Sequence, residues 1–108
     1  MPSATERSIL TAPGPVAKTA AYAAADPEQR WMLRQPREVR VSFAEEVFGR
    51  PDATERQEIW ILRQPRAVRE SFIREVLAHQ DPEPRQAIWM LRQTDKVRES
   101  YVKEVLEP

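Results

Sequence analysis

The chain has no cysteine and a single histidine, His79. Without a thiol there is neither a disulfide nor a thiolate metal site, and one imidazole cannot build a histidine metal cluster. Glycine is nearly absent. Gly14 and Gly49 are the only two, and they form no glycine-rich phosphate loop. No apolar run approaches the ~20 residues that a membrane-spanning helix needs. Met1 to Ala25 contains no h-region of a signal peptide, because Ser8-Ile9-Leu10-Thr11 is short and is interrupted by Pro13-Gly14-Pro15. These absences make a cytoplasmic chain with no membrane partner the expectation. Neither sign of charge is in excess. Seventeen basic and seventeen acidic residues cancel, so no long-range field draws the chain toward nucleic acid or anionic lipid.

What is present is a repeat. Tryptophan occurs at Trp31, Trp60 and Trp89 and nowhere else, each 29 residues after the last. The neighbours follow in step: Arg30 to Phe48 reads RWMLRQPREVRVSFAEEVF, Ile59 to Leu77 reads IWILRQPRAVRESFIREVL, and Ile88 to Leu106 reads IWMLRQTDKVRESYVKEVL. Nine positions of the shared pattern W-x-L-R-Q-x-x-x-V-R-x-S-[FY]-x-x-E-V are identical in all three copies, which chance does not produce. The unit is shorter than tetratricopeptide and ankyrin repeats and carries neither signature.

The composition of the repeats, rich in Leu, Glu, Arg, Gln, Met and Ala, favours helix. Pro36 and Pro65 stand mid-pattern, where a helix interior would lose about 3 kcal/mol. Copy three has Thr94-Asp95 at the same place, a cap followed by a first-turn acid. The pattern therefore predicts a short helix A, a tight turn at Arg-Gln-Pro, and a longer helix B in each copy. Copy two illustrates the apolar faces: Ile59, Trp60 and Leu62 before the break, then Val68, Phe72 and Val76 stepping by four with Ile73 and Leu77 beside them. A single kinked helix per copy is the alternative. Asp26-Pro27-Glu28 and Asp81-Pro82-Glu83 both read as helix starts, and Gly49 as a helix end. The expected architecture is all-α: three tandem helical hairpins, about 26–51, 52–80 and 81–108, stacked as a short solenoid or compact bundle so that they share a core. Met1 to Ala25, rich in Ala, Thr and Pro, is expected to be a flexible tail.

Several repeated positions are candidates for binding a partner. Trp31, Trp60 and Trp89 are either packing anchors or a row of binding anchors, since tryptophan serves both roles. Arg34, Arg63 and Arg92 lie one turn after the tryptophans. They can pair with the recurring Glu46, Glu75 and Glu104 or face an acidic partner. Arg40, Arg69 and Arg98 follow the valine of helix B and precede Ser42, Ser71 and Ser100 by two residues. Gln35, Gln64 and Gln93 sit at the turn, where backbone groups need partners.

No cluster of these residues makes a catalytic site, and no cofactor is expected. Paired carboxylates need a cleft that so small a chain hardly provides. The reading is a non-catalytic protein-interaction or adaptor module whose partner is another protein, acidic or a further copy of the chain in a homo-oligomer. The alternative is a helix-turn-helix-like regulator binding nucleic acid through Arg37, Arg66, Arg69 and Arg74. The zero net charge and the acids Glu70 and Glu75 on the same helix disfavour that alternative.

Overall fold

A computed structural model of the chain describes Leu10, Thr11 and residues 26–108. Among the described residues every regular element is helical and no strand occurs. The chain divides into two compact units, Met1–Ala53 and Thr54–Pro108. The expected tail lies outside the described residues except at Leu10 and Thr11. These two are helical, and Leu10 is buried.

The first unit contains α1 (Pro27–Leu33) and α2 (Arg37–Glu46). Asp26 starts α1 with a reciprocal cap: its Oδ1 accepts from the Gln29 amide at 2.8 Å, and Gln29 Oε1 accepts from the Asp26 amide at 3.1 Å. Pro27 follows in the first helical position, where its missing N–H costs nothing. After α2, Gly49 takes a positive φ of 81°, a geometry that a side chain would oppose. The rings of Phe43 and Phe48 meet at the end of α2 with centroids 6.5 Å apart.

The second unit contains α3 (Ala53–Leu62, beginning at the boundary), α4 (Arg66–Glu75), a 3₁₀ turn at Leu77–His79, α5 (Arg85–Leu91) and α6 (Asp95–Tyr101). A π-helical turn, Val102–Leu106, continues α6. Each copy thus breaks at Pro36, Pro65 and Thr94, and these residues cap the second helix from outside rather than occupying its first turn. Thr94 accepts from the Val97 amide at 3.4 Å. Helix B is the longer one only in copy one; α3 and α4 are equal at 10 residues each, as are α5 and α6 at 7. The expected start at Asp81-Pro82-Glu83 is not used. The Asp81–Pro82 bond is cis, and α5 begins only after Pro84. Proline at 84 drives the preceding Glu83 out of helical geometry, so the start moves past it.

The buried stripe of helix B differs from the expected one. In α4 the buried residues are Arg69, Phe72 and Ile73, and the capping Val76 is buried too, an i, i+3, i+4, i+7 pattern. Val68 is only half-buried, as is Val39, and Val97 is exposed. The inward residue at this level is the arginine after the valine. Its methylene stem packs as an apolar group does.

Candidate interaction surface

The turn between the helices is built the same way at each 29-residue step. The side-chain amides of Gln35, Gln64 and Gln93 donate to the carbonyls of Trp31, Trp60 and Trp89 at 3.1, 3.1 and 3.0 Å. These carbonyls lie in the last turn of helix A, where each also accepts from the amide of Arg34, Arg63 or Arg92 at 3.2 Å, so the glutamine amide supplies a second donor to a carbonyl at a helix end. Arg40, Arg69 and Arg98 then donate through Nε to the carbonyls of Gln35, Gln64 and Gln93 at 3.0, 2.9 and 3.1 Å. All three arginines are buried. Each therefore braces the turn of its own copy from the inside, and none of the three stands exposed. Burial pulls the Arg40 and Arg69 guanidinium groups below their ordinary pKa, with nearby Arg37 and Arg98 respectively adding to the effect.

The other arm of each guanidinium explains why a charge is tolerated inside. Arg69 donates through Nη1 to the carbonyl of Leu91, the last residue of α5, and Arg98 donates to that of Leu62, the last residue of α3. Helix C-termini carry unsatisfied carbonyls and partial negative charge, so each cation sits at a complementary site. Asp95 adds a carboxylate to Arg98. No buried side-chain nitrogen or oxygen among the described residues lacks a partner.

The surface arginines make a parallel exchange. Arg63 meets Glu99 at 3.2 Å, and Arg92 meets Glu70 at 3.4 Å. Copy two and copy three thus trade equivalent contacts in both directions, as the halves of a twofold pair do. Glu46 and Glu75 accept from Ser42 and Ser71 at 2.9 and 2.7 Å. Arg56 and Arg63 also reach Glu107 at 3.3 and 3.9 Å. Tyr101 donates its hydroxyl to Glu58; burial raises the phenol's pKa, and the carboxylate's charge and this bond raise it further.

In the first unit the same arms point to the N-terminal segment. Arg40 Nη1 donates to the Leu10 carbonyl at 3.0 Å, and Arg37 Nε donates to the Thr11 carbonyl at 3.0 Å. Leu10 therefore holds, for copy one, the place that Leu91 holds for copy two. A faint sequence signal accompanies this. Leu10-x-x-Pro13-x-x-Val16 repeats the spacing of Leu33-x-x-Pro36-x-x-Val39. The charged residues of the exchange are missing here, with Thr11 in the register of Arg34, and Val41 in the register of Glu70 and Glu99.

The tryptophans have two different fates. Trp31 and Trp60 are 1% and 4% exposed, whereas Trp89 is 58% exposed. The valine 16 residues after each tryptophan behaves likewise: Val47 and Val76 are buried, and Val105 is 57% exposed. Val105 belongs to the π-helical turn, closed by a 2.7 Å bond from the Glu107 amide to the Val102 carbonyl. That turn is wound more loosely than an α-helix, whereas Val47 and Val76 sit at ordinary helix ends. With Val97, also exposed, residues 88–106 carry three large apolar side chains in solvent.

The remaining candidates scatter. Arg34 caps the end of α1 and is exposed. Of the four arginines proposed to meet phosphates, Arg69 is buried and Arg37 holds Thr11, while Arg66 and Arg74 are exposed. His79 is exposed. Among the described residues no group of His, Cys, Asp and Glu side chains could hold a metal ion, and no helix is long and apolar enough to cross a membrane. The chain matches no known family model, and no curated protein or solved structure is significantly similar to it.

Proposed function

We propose that the chain is a non-catalytic protein-interaction module, an adaptor made of three tandem helical-hairpin repeats, and that it binds through copy three. The observation that carries this reading is the exposure of Trp89, Val97 and Val105 on one hairpin. Exposed large apolar side chains on a small domain are candidate sites of association, and tryptophan is the side chain most enriched among binding anchors. The repeat reading is supported by the recurrence of the glutamine and arginine bonds at each 29-residue step. A charge-led mode of binding has less support, because Arg63 and Arg92 already face Glu99 and Glu70.

The test compares the wild-type chain with Trp89→Ser and Val105→Lys as baits in an extract of the cells that make it. Both positions are exposed, so far-UV circular dichroism should be unchanged. Proteins held by the wild type and lost by both variants support the reading. Identical capture by all three chains would refute it.

A further inference from the structure

We infer that the surface of Trp89, Val97 and Val105 is covered by the same surface of a second copy of this chain, the two related by a twofold axis. The inference rests on the reading of the chain as an interaction module and names its partner. Three observations lead to it.

The first is positional. Trp31 with Val47, and Trp60 with Val76, occupy in copies one and two the positions of Trp89 and Val105, and all four are buried. The sequence thus writes the same apolar pair three times and leaves it in solvent once. A surface whose two sequence equivalents are both internal has the composition of a core, not of a solvated face.

The second is that this unit is complementary to itself. In Thr54–Pro108, copies two and three exchange Arg69 to Leu91 for Arg98 to Leu62, and Arg63 to Glu99 for Arg92 to Glu70. Those groups are satisfied within the chain; what they establish is that this sequence pattern packs reciprocally on its own kind, and the contact between chains falls to Trp89, Val97 and Val105. The third is charge. Lys96, Lys103 and Glu104 are exposed beside the apolar residues, and the whole chain is neutral. A rim of both signs does not repel a second copy, whereas an acidic peptide or a nucleic acid calls for one sign.

Sedimentation equilibrium of the full chain, from about 1 µM to about 1 mM, spans the range of weak small interfaces. The expected result is a reversible monomer–dimer equilibrium. Loss of a tryptophan anchor weakens an interface by about 30-fold or more. Each substitution counts twice across a twofold axis, so Trp89→Ser should weaken the dimer by about 10³-fold. Val105→Lys should also return the chain to monomer, while Trp89→Phe keeps the dimer. Circular dichroism confirms that each variant is folded. A chain that stays monomeric at every concentration overturns the inference, as does a dimer indifferent to both Trp89→Ser and Val105→Lys. Open-ended growth beyond the dimer overturns the twofold arrangement. A monomeric chain that still captures another protein through Trp89 refutes self-association alone; a monomer with no Trp89-dependent capture refutes the interaction reading as well.

Discussion

Replacing Arg98 with methionine removes the charge but keeps most of the stem, and its cost can be worked from the contacts. The guanidinium donates to the carbonyls of Gln93 and Leu62 and pairs with Asp95. A hydrogen bond to a charged group is worth about 1.5–3 kcal/mol, and a buried carbonyl left without a donor costs about 1–3 kcal/mol. These figures overlap rather than add, which gives an expected loss of about 3–5 kcal/mol. A folded segment of about 80 residues holds roughly 4–12 kcal/mol in all, so Arg98→Met should remove about a quarter of that stability at the least. Arg98→Lys should lose about 2–3 kcal/mol, since a compact ammonium does not reproduce the guanidinium fork between two carbonyls. Arg69→Met should behave like Arg98→Met, and the double variant should lose more than the sum, because each single change also relieves the repulsion between the two cations and that relief counts only once in the double. Urea titration followed by circular dichroism measures all four chains. A loss below about 1 kcal/mol for Arg98→Met, the range of ordinary surface changes, would refute the bracing role.

Other substitutions separate interior from surface. Arg63→Ala and Arg92→Ala, which break exposed ion pairs with Glu99 and Glu70, should each cost no more than about 1 kcal/mol. That small cost should shrink further when the same melts are run in high salt. Leu10→Ala should cost about 2–3 kcal/mol and loosen the first unit. Hydrogen exchange should quicken in α1 and α2 and stay unchanged in α5 and α6, whereas unaltered exchange in α1 and α2 would show that Leu10 supports nothing.

The helix boundaries were largely legible in the sequence because local chemistry decides them. Asp26-Pro27 with Gln29 encodes a cap and its reciprocal bond within four residues, and proline at 36 and 65 breaks the pattern wherever the chain goes. The start differs from the one Asp81 signals because Pro84 acts on Glu83 and outweighs the cap before it. The inward arginines were not legible by hydropathy, which scores Arg69 as solvent-facing. Their signal was register: Arg69, Phe72, Ile73 and Val76 fit one helical stripe better than Val68 does. Their true partners, the end carbonyls of α3 and α5, are backbone groups that no side-chain motif announces. Nor does the pattern separate Trp89 from Trp31 and Trp60, since all three have nearly identical neighbours. The difference lies in what covers each one, and that is a property of the folded chain.

Those three tryptophans offer the most direct measurement. Three chains, each keeping one tryptophan and carrying phenylalanine at the other two positions, can be titrated with acrylamide in dilute solution. Trp89 should be quenched readily and emit at long wavelength, Trp31 and Trp60 should be protected, and raising the protein concentration should protect Trp89 as well. Equal quenching of all three, or a Trp89 already shielded in the dilute monomer, would contradict the proposal that the chain binds its partner through Trp89.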